Sequence, residues 1–185
     1  MIARLRERWA AHPDQRLGLA LLPLGLFLGH MCANRSVKAT ASRQLLMSAE
    51  RAWLSVTDVR NHARWIPLTH MEAEANLGVG DTFTGVSGPP FPPGLRLVDR
   101  MRIERLDPPT TTAEGRAVYR KLGPVLLGTA EVRVRPIGDT ACTVTWVEHV
   151  HLRGLPPGLT APILSPLLAQ MTKLALRRMV AELTM

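Results

Sequence analysis

The feature that most constrains this chain is a change of period near its C-terminus. Between residues 69 and 152 the sequence breaks into segments in which apolar and polar residues alternate. These are "THMEAEAN", "DTFTGVS", "LRLVDRMRIERL", "TTAEGRAVYRK", "LGTAEVRVRP" and "ACTVTWVEHVHL". Alternation places successive side chains on opposite faces of a strand. The separators "LGVG", "GPPFPPG", "DPPT", "LGPVL" and "IGDT" supply turn residues. After "GLPPG" the apolar spacing switches to that of a helix. In "SPLLAQMTKLALRRMVAEL" the residues Leu168, Met171, Ala175 and Met179 form one stripe, with Gln170, Lys173, Arg177 and Glu182 elsewhere. Ser165 is expected as its N-cap and Pro166 at its first helical position.

A further alternating segment, "VKATASRQLLM" at 37–47, opens this region. Two short helices should follow it. Ser48 is a natural N-cap for "AERAWLSVT", and Asp58 for "VRNHARW", which Pro67 stops. Trp53, Val56 and Trp65 would anchor this pair on an apolar surface. Short links between consecutive strands make them antiparallel neighbours. An antiparallel sheet covered on one face by a long helix is an α+β fold.

The order β-α-α-β6-α, with "DVRNHARW" after the first helix and "GVGDTF" opening the third strand, resembles the START-like helix-grip (SRPBCC) superfamily. Within it the chain is most similar to the polyketide cyclase/dehydrase branch. The likeness covers residues 37 to about 183 and is carried by element order and the two helix-region tryptophans. It implies a curved seven-stranded antiparallel sheet gripping the C-terminal helix, with an internal apolar cavity. Its members mostly bind lipids, polyketides or other hydrophobic molecules. Only some are enzymes, and they share no catalytic residue set.

Residues 1–36 are not needed by that fold. "MIARLRERWAAHPDQR" is basic, and "LGLALLPLGLFLG" (17–29) is an apolar run of 13 residues broken by Pro23 and three glycines. It is short for a bilayer span, and Met31 and Ala33 make a poor signal cleavage site. Three readings stay open: a membrane-surface anchor within residues 1–30, a helix packed on the domain, or sequence upstream of a true start at Met31. The domain itself is expected over 37–185.

Of the net charge of +8, three charges fall in the first 36 residues and five in the rest. There the arginines are dispersed, as in "RLVDRMRIER", which argues for a solvated face and against a nucleic-acid stripe. Cys32 and Cys142 make neither a disulfide framework nor a metal motif, so a reducing, cytoplasmic setting is the default. The alternative is membrane association through the N-terminal segment. No cofactor is expected, because the sequence has no phosphate loop and no nucleophile elbow. No metal is expected either: His149 and His151 share an outer strand face without a third ligand. His62 reads as a surface residue.

The candidate site lies on the inward faces. In the last strand that face is Cys142, Val144, Trp146, Val150 and Leu152, with Glu148 in its midst. In the fourth strand it is Leu97, Met101 and Ile103 and includes Asp99; in the fifth, Ala113, Gly115, Ala117 and Tyr119. The first strand contributes Val37, Ala39, Ala41, Leu45 and Met47, and includes Arg43. Matching faces across the turns puts Tyr119 near Asp99 and Ala130 between Tyr119 and Glu148. If the first and last strands pair, as the resemblance implies, Arg43 comes diagonal to Glu148. Glu148 then has two readings. It is half of a cross-strand ion pair with Arg43, or with Tyr119 and Asp99 it is the polar row of a ligand pocket. In an enzyme, Glu148 or Asp99 would be the base and Tyr119 the acid or oxyanion donor. Trp146, Met101 and Met171 would line the pocket; Met71, Met101, Met171 and Met179 read as ordinary core that would also suit a pocket adapting to its ligand. Phe91, Val125, Leu126 and Leu127, in the Gly/Pro-rich loops at one rim, would form its mouth.

These patterns lead to a binding or carrier protein for a hydrophobic small molecule, or to a polyketide cyclase or dehydratase. A chain beginning at Met31 is expected to be soluble and to melt within a few degrees of the full-length protein. Aggregation, or loss of the cooperative transition in a thermal scan, would assign residues 1–30 to the fold.

Overall fold

The computed structural model describes residues 37–89 and 96–184. Seven antiparallel strands run β1 (Val37–Leu45), β2 (Thr69–Glu72), β3 (Thr82–Ser87), β4 (Leu97–Asp107), β5 (Gly115–Pro124), β6 (Leu126–Ile137) and β7 (Ala141–Leu152). They form one sheet in the order β1-β7-β6-β5-β4-β3-β2. Chain order and sheet order agree except at β1, which closes onto β7. Two register shifts in β4, at Arg100/Met101 and Ile103/Arg105, are the kind of irregularity that bends a strand and increases its twist. The sheet is curled into a half-barrel, the helix-grip architecture.

Helix α1 (Ala49–Thr57) starts as its sequence dictates: the Ser48 hydroxyl accepts from Arg51 N–H at 3.3 Å. A 3-10 turn (Val59–Asn61) leads into α2 (His62–Trp65), and Asp58 caps that turn through Arg60 N–H at 3.2 Å. The long helix α3 (Pro157–Leu183) packs on β1, β7 and α2.

Helix α3 begins nine residues earlier than expected, with Pro156 rather than Ser165 as N-cap and Pro157 rather than Pro166 at the first position. Pro162 and Pro166 therefore lie inside the helix. An interior proline removes one helical hydrogen bond and pushes on the preceding turn. Both prolines sit on the exposed side, where water can satisfy the freed carbonyls and outward curvature is tolerated. The inward side of the same stretch carries Ala161, Leu164 and Leu168, which pack on Val37, Ala39 and Val150. That burial holds the first turns against the sheet.

The main core lies between the concave face of the sheet and the helices. It joins Trp53 and Val56 of α1, Trp65 of α2, and Ala175, Leu176 and Met179 of α3 to Val132, Val134, Val144 and Trp146 of the sheet. The outer face carries ion pairs such as Arg116–Glu131–Arg133 and Arg120–Glu104. The dispersed arginines are thus largely a solvated face, and an exposed pair such as Arg120–Glu104 is worth at most about 1 kcal/mol.

One polar lock joins α2 to α3. The fully buried Trp65 indole donates to Glu182 Oε2 at 3.0 Å, and Arg64 Nε donates to Oε1 at 2.8 Å. Removing the acceptor leaves a buried N–H unsatisfied. Glu182→Ala is expected to lower stability by about 1–3 kcal/mol, and urea unfolding measures this directly. A change within about 0.5 kcal/mol, the usual range for surface substitutions, would make the contact incidental.

Candidate functional site

Between the concave face and α3 lies a cavity of about 180 Å³. Its walls are mostly apolar: Ile66, Met71, Phe83, Leu97, Met101, Leu126, Ala130, Trp146, Leu152, Leu164, Leu168 and Met171 among them. Gly85 also lines it, next to Met71 Sδ, so the wall stays thin there. Leu167 both lines the cavity and is 62% exposed, so the cavity reaches the surface beside α3.

That end of the molecule is held together by Arg153. Its N–H donates to Val125 O at 2.8 Å, its Nε to Pro124 O at 3.0 Å and its Nη2 to Leu122 O at 3.3 Å. The β5–β6 turn and the link from β7 to α3 are tied into one rim. Of the expected mouth residues, Val125 is exposed, Leu127 is half-buried, and Leu126 turns inward and lines the cavity. Phe91 lies outside the described residues, as does the N-terminal segment. The outer side of α3 next to this rim presents Leu159, Ile163 and Leu167, which continue the exposed Leu155 of the preceding link.

Deep in the cavity sit Asp99, Tyr119, Lys121 and Glu148, all buried. Lys121 Nζ is 2.5 Å from Asp99 Oδ2 and 3.4 Å from Glu148 Oε2. Trp146 Nε1 donates to Glu148 Oε1 at 3.0 Å. Desolvation is the largest influence on Lys121 and disfavours its charge, but Glu148 and Asp99 together outweigh it and raise its pKa. For Glu148, desolvation dominates and raises the pKa, with Asp99 adding to it and with Lys121 and the Trp146 N–H opposing. One ammonium serves two carboxylates, Asp99 is the nearer, and Glu148 keeps its proton to higher pH than an exposed glutamate.

Three buried oxygens have no hydrogen-bond partner among the described residues: Asp99 Oδ1, Tyr119 Oη and Glu148 Oε2, the last held only by the 3.4 Å ion-pair approach. The Tyr119 ring packs edge-on against Phe83 with centroids 5.6 Å apart, and burial pushes its hydroxyl pKa up.

The expected partner of Glu148 is corrected. Arg43 lies opposite Val144, while Glu148 lies opposite Ala39. Arg43 does not line the cavity; its guanidinium donates to Ser42 O at 2.8 Å. The residue that pairs with Glu148 is Lys121, two positions after Tyr119 on the same face of β5. Alternation marks Lys121 as inward-facing but does not name its partner. Tyr119 is opposite Ile103, four residues along β4 from Asp99, which lies opposite Pro124. Ala130 does lie directly between Tyr119 and Glu148.

His62 is also corrected. It is 3% exposed, lines the cavity and packs against Trp146 with the rings tilted by 49° and centroids 4.9 Å apart. Its Nε2 is 2.9 Å from Val56 O. Burial lowers its pKa to about 4. It is therefore neutral near pH 7, with the proton on Nε2 and a lone pair on Nδ1. Among the described residues no group of three or more His, Cys, Asp or Glu could hold a metal ion.

Residues 36–184 match the family described as polyketide cyclase/dehydrase and lipid transport. The chain belongs to this family. Solved structures share the fold of this polyketide cyclase/dehydrase-family chain at low identity. A START superfamily protein from Mycobacterium smegmatis is 15% identical with a TM-score of 0.58, covering 79% of this chain and 98% of its own. A conserved protein from Geobacillus kaustophilus is 13% identical with a TM-score of 0.57, covering 80% and 95%. The Zhui aromatase/cyclase from Streptomyces sp. R1128 is 15% identical with a TM-score of 0.53, covering 80% and 88%. No curated protein matches the sequence.

The charge arrangement has two measurable consequences. Lys121→Met should cost about 3–5 kcal/mol, because it strands buried carboxylates without their cation. Arg43→Met should cost under about 1 kcal/mol, as for a partly wet surface group; the reverse order in chemical denaturation would restore the Arg43 pairing. The second consequence concerns His62. Its folded pKa is depressed, so the unfolded chain binds the extra proton, and stability is lost as pH falls from about 6.5 to about 4. Glu148, with a raised pKa, acts with the opposite sign, so the His62 contribution is read as a difference. The stability of wild type minus that of His62→Gln is expected to fall by about 3 kcal/mol between pH 7 and pH 4. A constant difference in urea titrations would show that His62 is not buried neutral.

Proposed function

We propose that this protein binds a hydrophobic small molecule, lipid or polyketide-like, inside the cavity and acts as a binding or carrier protein. The observation that carries this reading is the cavity itself: about 180 Å³ of apolar-walled space under α3, open beside Leu167, with a small set of buried polar groups at its base. Such a combination is what a small-molecule site needs. Empty, it forfeits packing contacts that a ligand would restore. Trp146, Met101 and Met171 supply wall, and the methionines can adapt to the shape of the ligand.

A second reading is favoured by one observation. Glu148, with its raised pKa, and the unpartnered Tyr119 hydroxyl sit in the same apolar cavity as Lys121. A carboxyl group with raised proton affinity and an unpartnered phenol in one apolar cavity are groups that can exchange protons with a bound carbonyl compound. That arrangement suits a cyclase or dehydratase, with Glu148 or Asp99 as base and Tyr119 as acid or oxyanion donor.

Ala130→Leu tests the common premise, because residue 130 projects into the cavity between Tyr119 and Glu148. The wild type is expected to carry a co-purified hydrophobic molecule, identified by mass spectrometry of an organic extract. The variant, checked by its melting temperature to be folded, should lack it. A folded variant that retains the same molecule would move the site elsewhere.

A further inference from the structure

We propose that the end of the molecule around the cavity opening docks on a membrane surface that contains anionic lipid, with the outer side of α3 laid into the headgroup layer. The proposal goes beyond the cavity reading and does not depend on it. Its first support is an apolar face that the fold leaves uncovered. Leu159, Ile163, Leu167 and Leu174 are all exposed and follow one another along α3 at intervals of four, four and seven residues. Such intervals keep side chains on one side of a helix. The exposed Leu155 and Val125 extend the patch onto the rim.

The second support is the distribution of charge. The sequence has no Asp or Glu between Asp14 and Glu50, between Asp81 and Asp99, between Glu114 and Glu131, or between Glu148 and Glu182. The strand registers bring parts of all four stretches to one end of the sheet. Val37 lies opposite Val150, Ser87 opposite Leu97, and Leu126 opposite Leu152. Asp99 and Glu148, the carboxyl groups nearest that end among the described residues, are buried in the cavity. Exposed acids such as Glu72, Asp107, Glu114 and Asp139 flank the opposite end. Exposed cations at the rim include Lys38 and Arg153, and Lys173, Arg177 and Arg178 lie further along α3.

An apolar stripe flanked by cations fits an anionic bilayer, which takes up apolar side chains and attracts positive charge at once. A second copy of this chain, packed about a two-fold axis, would bring like charges together. The apolar run at residues 17–29 could cover the stripe but would leave the cations unanswered. The chain enters the fold at this same end, through Val37, so that run and the arginines before it are joined to the docking side. One stretch of α3 reaches a mean hydropathy of 1.2, but Leu168, Leu176 and Met179 on its inner side are buried. The helix therefore lies along the bilayer and does not cross it. The cavity opens beside Leu167, on the docking side, which gives a hydrophobic ligand a path that avoids water.

Sedimentation of the full-length protein with sucrose-loaded vesicles tests this, using phosphatidylcholine alone and phosphatidylcholine mixed with phosphatidylglycerol. Wild type is expected to bind the mixed vesicles about tenfold or more tighter than phosphatidylcholine, and to lose most of that difference in high salt. Leu159→Gln together with Ile163→Gln changes two exposed side chains that do not line the cavity. This double variant should melt with wild type and bind the mixed vesicles about tenfold more weakly. Lys38→Gln, at an exposed position of β1, should weaken binding to the mixed vesicles several-fold and leave binding to phosphatidylcholine unchanged.

Failure of wild type to bind either vesicle would overturn the proposal, and so would equal binding to both. A folded double variant that binds the mixed vesicles like wild type would overturn it by moving the contact to another part of the chain. Undiminished binding by Lys38→Gln would do the same for the charge argument on which it stands. A wild type that is dimeric in analytical ultracentrifugation, and that the double substitution makes monomeric, would overturn it in favour of a second copy. None of these outcomes involves a ligand, so each leaves the cavity-binding reading standing.

Discussion

The ammonium of Lys121, buried between Asp99 and Glu148, is the interaction around which the interior of this protein is arranged. It joins β5 to β4 on one side and, across the small Ala130 of β6, to β7 on the other. Any one of these three groups alone would be expensive to bury. Together they are tolerated only while the spacing of four strands holds, so the register of the sheet centre and the charge state of the cavity are one constraint. Desolvation raises the pKa of Glu148 against the opposing pull of Lys121, and Asp99 keeps one oxygen free. What makes the site costly to the fold makes it useful to a ligand.

The remainder of the cavity follows from that polar base. Apolar residues from β3, β4, β6, β7 and α3 close around it, and His62 and Trp146 pack together to seal one wall. Helix α3 has a double task. Its inner face buries Leu168, Thr172, Leu176 and Met179, while its N-terminal half leaves a stripe of leucines and Ile163 exposed beside the opening. Two prolines in this half occupy solvent-facing positions, so the helix keeps its inner packing and loses hydrogen bonds only where water can replace them. The region where a ligand would pass is therefore also where the helix has fewest internal bonds.

Much of this was legible beforehand, and the failures share a cause. Alternation identified the seven strands, the inward placement of Glu148, Asp99 and Tyr119, and the α+β class. It failed on pairing. A slip of two residues leaves every side chain on the same face, so face patterns could not distinguish Arg43 opposite Val144 from Arg43 near Glu148. Tyr119 falls opposite Ile103 rather than near Asp99 for the same reason, because a slip of four residues also keeps every side chain on its face. Lys121 was different, because its parity marked it as inward, and only the habit of placing lysines outside hides it. His62 carried no such signal. Its burial depends on Trp146, 84 positions away in sequence, arriving over a four-residue helix.

The sequence by itself determined the order of strands and helices, the caps at Ser48 and Asp58, and which face of each strand turns inward. These are properties of neighbours along the chain, set by period, turn chemistry and side-chain hydrogen bonds within a few residues. The tertiary structure alone decided which inward charge meets which. It made Lys121 the partner of Glu148, left Asp99 Oδ1 and Tyr119 Oη unsatisfied, buried His62 as a neutral ring, and let α3 run through two prolines. Each of these depends on distances between segments far apart in sequence. Electrostatic and packing energies at such contacts vary steeply over a few ångströms, whereas the local pattern specifies position along a strand only to within a slip of two residues.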